Sequence, residues 1–356
     1  MSIQKVFQNY LTDHLDLRKN CEDACEGNNS QCEKCKVIGA HRTLRRELKE
    51  RLSIMEEVES SGDEDIYSFL TGSYKRGTII RPPKDVDFFI VLKEDDYEDF
   101  SPAEILNLLH AAVTDIYPDK KIKVQTHSIT IEYSEDFGID VIPAFEDGEN
   151  YKIPEVSEGE EKWLVSNPKK HEEEITEGNK ETGGMLIPIV KILKSWRREK
   201  ADELKSFHLE MIALKILGTG IIDSFSSGLA KFFAESGTAL NKKIEDPANP
   251  DNYVDGDLKE GGRNDLIELV NQESKVAEAA LKWEKKGDED KAVSDWKKIF
   301  TSDSFAKAAN KIAAEMVSKA IYTQGLYKTD DKGVLETDKD KSQEDVKIPR
   351  SSSWGD

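Results

Sequence analysis

The chain has 356 residues, with 51 basic side chains against 71 acidic ones and a formal net charge of -20. That length allows two lobes, and the acidity excludes stable, sequence-independent holding of a long nucleic acid, which needs a broad basic surface to release counterions. No stretch has the apolar length of a membrane span, and Met1 to Lys5 lack the basic-then-apolar pattern of a signal peptide, so a cytoplasmic location with no membrane partner is expected.

Phe7, Tyr10, Leu11, His14 and Leu17 recur at helical spacing and predict an opening amphipathic helix. The four cysteines of the chain, Cys21, Cys25, Cys32 and Cys35, follow in one short stretch. In a reducing compartment disulfides are disfavoured, which leaves two readings: four free thiols, or four thiolates closing a tetrahedral structural zinc site. The loop between the two pairs is shorter than in most zinc ribbons. From Val37 to Val58, Ile38, Leu44, Leu48, Leu52 and Met55 predict one long helix, ended at Ser60 to Asp63.

Next comes an apolar strand, Ile66 to Leu70, broken by Gly72-Ser73 where a short helix begins. Glycine lets the backbone approach an anion closely, and Ser73 adds a hydroxyl, so the turn reads as a phosphate cradle with Lys75, Arg76, Arg81 and Lys84 as local cations. Asp85 and Asp87 follow on one face of a strand, because side chains two residues apart point the same way. Paired carboxylates repel unless a cation lies between them, and hard oxygen ligands suit Mg²⁺ or Mn²⁺ carried with nucleotide phosphates. Ser101-Pro102-Ala103-Glu104 opens a further helix. Gln125 to Ser128 leads into the next strand, where Gln125 and Ser128 would reach a base or ribose and His127 reads as a partly exposed strand residue. Ile129 to Tyr133 and Ile139 to Phe145 read as antiparallel neighbours around an Asp136-Phe137-Gly138 turn, with Asp140 the one charge in an apolar run and hence the third metal ligand. Cradle and carboxylates in this order read as a metal-dependent nucleotidyltransferase.

Trp163 to His171 reads as an irregular passage out of the first lobe. Between Ile187 and Lys200, Ile189, Ile192, Leu193 and Trp196 form an apolar stripe that sets Lys191, Lys194 and Arg198 on the opposite face, either solvated or reaching phosphate oxygens. Ser206 is placed to cap the next helix, through Leu217; Phe207 serves core packing or base stacking, and His208 reads as structural. Asp246 to Val254 is turn-rich. Helices resume at Asp265, at Ala292 to Phe300 and at Phe305 to about Tyr322, and the polar residues from Lys328 on predict a disordered tail with an apolar Trp354-Gly355 near its end.

Gly72-Ser73 with Asp85-Val86-Asp87, Gln125 to Ser128, Asp140, Val190 to Trp196 with Lys194, Ser206 to Glu210, Asp246 to Val254 and Asp295-Trp296 to Phe305 together resemble the bacterial cyclic-oligonucleotide synthases called CD-NTases, over most of the chain. The resemblance implies an α+β protein. A polymerase-β-like nucleotidyltransferase core (37–165) would follow an N-terminal helix and cysteine cluster (1–36) and precede a helical C-terminal lobe (166–327) and a disordered tail (328–356). It implies that Asp85, Asp87 and Asp140 bind two Mg²⁺ ions, that Lys194 and Ser206 contact the donor triphosphate beside Gly72, Ser73 and Gln125, and that Phe207 stacks on a base where relatives often carry tyrosine. The implied product is a cyclic di- or trinucleotide made from nucleoside triphosphates, ATP among them, as an antiviral (CBASS) messenger. Some relatives are joined through their C-terminus to targets by a conjugation enzyme, so a partner or regulator at the tail is implied, although Asp356 departs from the expected small residue. The alternatives are an enzyme that extends an RNA end or makes linear oligonucleotides, and a nucleotide-binding regulator without turnover.

Overall fold

The computed structural model describes residues 2–18, 32–55, 67–157, 159–256, 258–323, 327–329 and 335–337. The predicted opening helix forms as α1 (Ile3–Tyr10), continued by a π-helical turn at Leu11–Leu15, and α2 spans Glu33–Lys49. There follow β1 (Ser68–Leu70), α3 (Gly72–Lys75), β2 (Asp85–Val91), α4 (Pro102–Ile116), β3 (Lys121–Val124), β4 (Ile129–Ser134), β5 (Phe137–Asp147), β6 (Asn150–Ser157) and β7 (Glu160–Ser166). The strands join in one sheet of order β1-β2-β5-β4-β3, with β6 paired to the far end of β5 and β7 to β6. Among the described residues only β2 and β5 run parallel; their register sets Asp85 opposite Gly138 and Asp87 opposite Asp140.

One face of the sheet is covered by α2 and α4. Alternation buries Val86, Phe88 and Ile90 of β2, with Ile129 and Ile131 of β4 and Ile139 and Val141 of β5, against Leu44, Leu48, Ile105 and Leu109. Helix α4 starts where the sequence placed it, with Ser101 and Glu104 closing a reciprocal capping box.

The second lobe contains α5 (Pro168–Glu181), α6 (Leu186–Lys200), α7 (Ser206–Leu217), α8 (Phe225–Leu240), the β8 (Glu245–Asp246) and β9 (Asn249–Tyr253) hairpin, α9 (Glu260–Lys285), α10 (Glu289–Ile299) and α11 (Asp303–Thr323). Its core draws in α1 from the other end of the sequence: Phe7 meets the rings of Phe225, Trp296, Phe300 and Phe305 at centroid distances between 5.4 and 5.9 Å. Tyr10, equally buried, shares its hydroxyl with Ser195 Oγ at 2.5 Å and Ser302 Oγ at 3.2 Å. Helix α1 thus packs with the helical lobe, while α2, most of which lies in the expected core, packs on the sheet.

Several sequence expectations are corrected. Helix α2 stops at Lys49; Met55 instead donates its N–H to Val91 O, and Ile54 bridges to Leu92, because the apolar residues after the helix extend the sheet core. The β4–β5 turn is tighter than expected, since Phe137 and Gly138 already belong to β5. The supposedly irregular passage begins as β7, where the Trp163 ring stands edge-on to Phe145 at 5.3 Å, and Asn167 then caps α5 by accepting from the Lys170 N–H. The start of the tail is paired: β10 (Tyr327–Thr329) runs antiparallel to β11 (Leu335–Thr337). Trp354 and Gly355 lie outside the described residues, as do Cys21 and Cys25. Cys32 is disulfide-bonded, and its Sγ caps α2 by accepting the Cys35 N–H at 3.3 Å. That bond departs from the reduced thiols expected of this stretch.

Candidate active site

Strand β1 delivers the chain to Thr71, whose N–H donates to Asp87 O at 2.9 Å, and α3 turns away at once. Gly72 adopts φ +60°, which a side chain would disfavour, and its Cα faces the Asp87 carboxylate directly. The strand–glycine–short-helix reading is thus correct, and it places Ser73 in the wall of a cleft of about 170 Å³. Asp85, Asp87, Lys84, Arg76, Lys194, Arg198, Ser206, Phe207 and Glu210 line the same cleft, which lies between the sheet and helices α6 and α7. Asp140 stands just outside this lining, across the β2–β5 pair from Asp87; in-register parallel neighbours share a face, so the three aspartates project together.

Burial and the neighbouring charge of Asp140 push the Asp87 carboxyl up to about 7, against the opposing pull of Arg76. Burial likewise raises Asp140, whose Oδ1 accepts from Thr130 Oγ1 at 2.5 Å. This is the electrostatic signature of clustered carboxylates with too little positive charge among them, and hard oxygen donors on one face fit a divalent ion such as Mg²⁺. Among the described residues, no three His, Cys, Asp or Glu side chains are already gathered tightly enough to hold an ion. The aspartates would have to close by side-chain rotation to become ligands.

The cations are arranged differently from the solvated helix face that spacing offered. Lys194 is 5% exposed and donates to Glu210 Oε1 at 2.7 Å. Lys191 binds Asp16 at 2.6 Å. Arg198 donates to the carbonyls of Arg81 at 2.7 Å and Pro82 at 3.2 Å, so it braces the loop that leads into β2. Of the four cradle cations, Arg76 and Lys84 line the cleft; Lys75 faces a groove along α5, and Arg81 a separate cavity near Asp13 and Phe137.

Ser206 is the first residue of α7 and not its cap, Lys205 taking that position; its side chain faces the cleft. Phe207 has the Arg76 guanidinium 5.2 Å from its centroid and the His171 ring at 4.8 Å, so the ring is both packed and part of the cleft wall. His171 in turn reaches Asp246 Oδ1 at 2.6 Å, which ties the β8–β9 hairpin behind Phe207. His208 points into the helical lobe, as a structural residue would. Gln125 is not brought to the cleft: it is exposed at the β3–β4 hairpin, its N–H bonded to Ser128 O, while His127 Nδ1 meets Pro154 O at 2.9 Å. Sequence reasoning missed Glu210 as a site residue. The signal was the same one that singled out Asp140, a lone acid in an apolar run, here Leu209 to Leu214.

A mixed sheet with paired aspartates at the start of a strand, a Gly-Ser turn against them and a helical lobe across the cleft define an α+β nucleotidyltransferase fold. The Second Messenger Oligonucleotide or Dinucleotide Synthetase domain matches residues 1–179, just over half of the chain. The chain belongs to this family, the bacterial CD-NTases, and is a cyclic oligonucleotide synthase. It is 29% identical over 309 residues to a cyclic AMP-AMP-AMP synthase of an Acinetobacter strain, covering 79% of this chain and 84% of that one. Its fold is similar to that of E. coli MS115-1 CdnC solved with ATP, with a TM-score of 0.64 at 19% identity, covering 85% of this chain and 98% of that one. It is also similar to Vibrio cholerae DncV, a cyclic AMP-GMP synthase solved with a linear intermediate, with a TM-score of 0.61 at 14% identity, covering 85% of this chain and 96% of the other. Among the described residues no helix is long and apolar enough to cross a membrane.

Proposed function

We propose that this synthase joins nucleoside triphosphates, ATP among them, into a cyclic di- or trinucleotide in the cleft between sheet and helices, in a Mg²⁺- or Mn²⁺-dependent reaction. The observation that carries this reading is the pairing within one cleft of Asp85 and Asp87 on one wall with Ser73, Arg76, Lys84, Lys194 and Ser206 around it. Cations and hydroxyls of this kind bind triphosphate oxygens, while the aspartates await the ions that travel with them.

Bound divalent ions would neutralise the phosphates and make an acceptor ribose hydroxyl easier to deprotonate. Gly72 keeps the backbone clear so that the Asp87 carboxylate can face the substrate. Lys194 and Ser206 orient the donor triphosphate, Asp140 accepts the proton of the attacking hydroxyl, and Phe207 offers its ring to a base. Attack on the α-phosphorus forms the new P–O bond and releases pyrophosphate; one or two such joins give the retained linear intermediate, whose terminal ribose hydroxyl then attacks its own 5′ α-phosphorus and closes the ring with release of a further pyrophosphate. The bracing of the β2 loop by Arg198 supports this reading, because it holds the backbone that leads into the strand carrying Asp85 and Asp87.

Incubation of the purified protein with each labelled nucleoside triphosphate and Mg²⁺ or Mn²⁺, followed by mass analysis of phosphatase-resistant products, tests the proposal. Cyclic products are expected. A ladder of linear oligomers that phosphatase shortens would favour the linear alternative, and triphosphate binding without pyrophosphate release would favour the regulator. A role in antiviral defence, with a conjugation enzyme or regulator engaging the tail, belongs to the same reading; a phage challenge comparing the wild type with Asp87→Asn tests the first, and partner capture after truncation at Tyr327 the second.

A further inference from the structure

One side chain in the cleft has no part in the chemistry above and yet holds two that do. Glu210, on the first turns of α7, is fully buried and uses its two carboxylate oxygens on two different cations. Oε1 accepts from Lys194 Nζ at 2.7 Å and Oε2 from Arg76 Nε at 2.8 Å. Lys194 belongs to α6 of the helical lobe, and Arg76 is the C-cap of α3, the short helix that Gly72 and Ser73 open in the nucleotidyltransferase core. The carboxylate therefore bridges the two lobes at the floor of the cleft, and both cations it holds also line that cleft.

Stability alone does not account for such an arrangement. Three charges taken out of water lose much of their hydration, and apolar side chains of similar size would seal a lobe seam as well or better. What an apolar seam cannot do is hold an ammonium and a guanidinium at fixed positions beside the aspartates. Burial opposes the Glu210 charge, but Arg76 and Lys194 together hold its carboxyl down at about 2; burial in turn lowers Lys194, and the Glu210 carboxylate opposes that shift. The Arg76 guanidinium, gripped through Nε, is also the group that lies against the Phe207 ring.

We propose that Glu210 is a positioning residue for triphosphate binding: it aims Lys194 and Arg76 at the donor phosphates from opposite lobes and so fixes the width of the cleft between them. This assignment rests on the nucleotide-joining reading above. Glutamine at this position keeps the shape but cannot hold two cations by charge, and aspartate keeps the charge but is one methylene too short to reach both.

The test measures KM and kcat for ATP by pyrophosphate release, binding of a non-reacting α,β-methylene ATP analogue by calorimetry, and thermal unfolding. It compares the full-length wild type with Glu210→Gln, Glu210→Asp, Lys194→Ala and the Glu210→Gln, Lys194→Ala double variant. The expected result is a rise in KM and a weakening of analogue binding of about tenfold in Glu210→Gln, larger than the change in kcat. Glu210→Asp should show the same direction with a smaller loss of unfolding temperature, and it carries the test if the glutamine variant does not fold. In the double variant the two KM effects should combine to less than their product, because one of the aimed cations is already gone. Wild-type KM in both Glu210 variants, or effects that simply multiply, would overturn the assignment. A wild type that neither binds the analogue nor releases pyrophosphate would instead overturn the functional reading on which it rests.

Discussion

Gly72 and Asp87 are in contact across the β1–β2 pair: a β-carbon on Gly72 would lie 1.6 Å from Asp87 Oδ2. No rotation of an alanine methyl relieves that overlap, so either the turn or the carboxylate has to move. Gly72→Ala is expected to cost about 1 to 2 kcal/mol from its positive φ, and to lower nucleotide transfer about a hundredfold or more by displacing a reacting group. Initial rates of pyrophosphate release, set beside the unfolding temperature, check it; a variant with normal turnover would show that the contact is incidental.

Asp87→Asn separates chemistry from stability. Its carboxyl is charged against the preference of its surroundings, so removal of the charge should leave the unfolding temperature unchanged or raised while transfer is abolished. Chelation of divalent ions from the wild type should give the same loss of activity, and restoring Mg²⁺ or Mn²⁺ should reverse it. Turnover by the asparagine variant near the wild-type level would remove Asp87 from the site.

His208 should make the protein acid-sensitive. Burial lowers its pKa from 6.5 to about 4, and its Nε2 has no hydrogen-bond partner among the described residues. A group whose folded pKa is depressed contributes stability that is fully present above its unfolded pKa and is lost as pH falls through the folded value. The window is therefore pH 6.5 down to 4, and the loss amounts to at most about 3 kcal/mol. Urea unfolding of the wild type and of His208→Leu at pH 7 and pH 4.5 should show a smaller acid loss in the variant. Equal losses would place the acid sensitivity elsewhere.

The helical lobe should depend on the first turns of the chain. Phe7→Ala removes a fully buried ring from the cluster around Trp296 and Phe305 and is expected to cost about 3 to 5 kcal/mol. Tyr10→Phe leaves Ser195 without its partner and should cost about 1 to 3 kcal/mol. Denaturant titration reads both, and a Phe7→Ala protein as stable as the wild type would contradict the packing described.

The parts legible in the sequence were those whose chemistry is local. Gly72-Ser73 before Asp85 and Asp87, and Asp140 alone in an apolar run, announce themselves because a strand displays its residues two by two. The environment of Lys194 was not legible: helical spacing separates Ile192 and Leu193 from Lys194, but it cannot reveal that a second lobe covers the charged side as well. Glu210 and Arg76 are 134 residues apart, and His171 and Asp246 are 75 apart, so no spacing rule joins them. Gln125 failed for the opposite reason, since a polar residue at a hairpin looks alike whether the hairpin faces the cleft or the solvent.

The docking of α1 among the last helices has a consequence for the order in which the protein is made. Tyr10 and Ser302, which share a hydrogen bond, are 292 positions apart. At ribosomal speeds of roughly 5 to 20 residues per second, the apolar face of Phe7 and Tyr10 waits on the order of 15 s or longer for its partners to emerge. During that interval the nascent chain carries a sticky aromatic patch, a natural target for a chaperone and a risk for aggregation. A polypeptide released before Phe305 would have its sheet complete and its cleft residues translated, but the wall that holds Lys194 and Glu210 would have no finished core behind it.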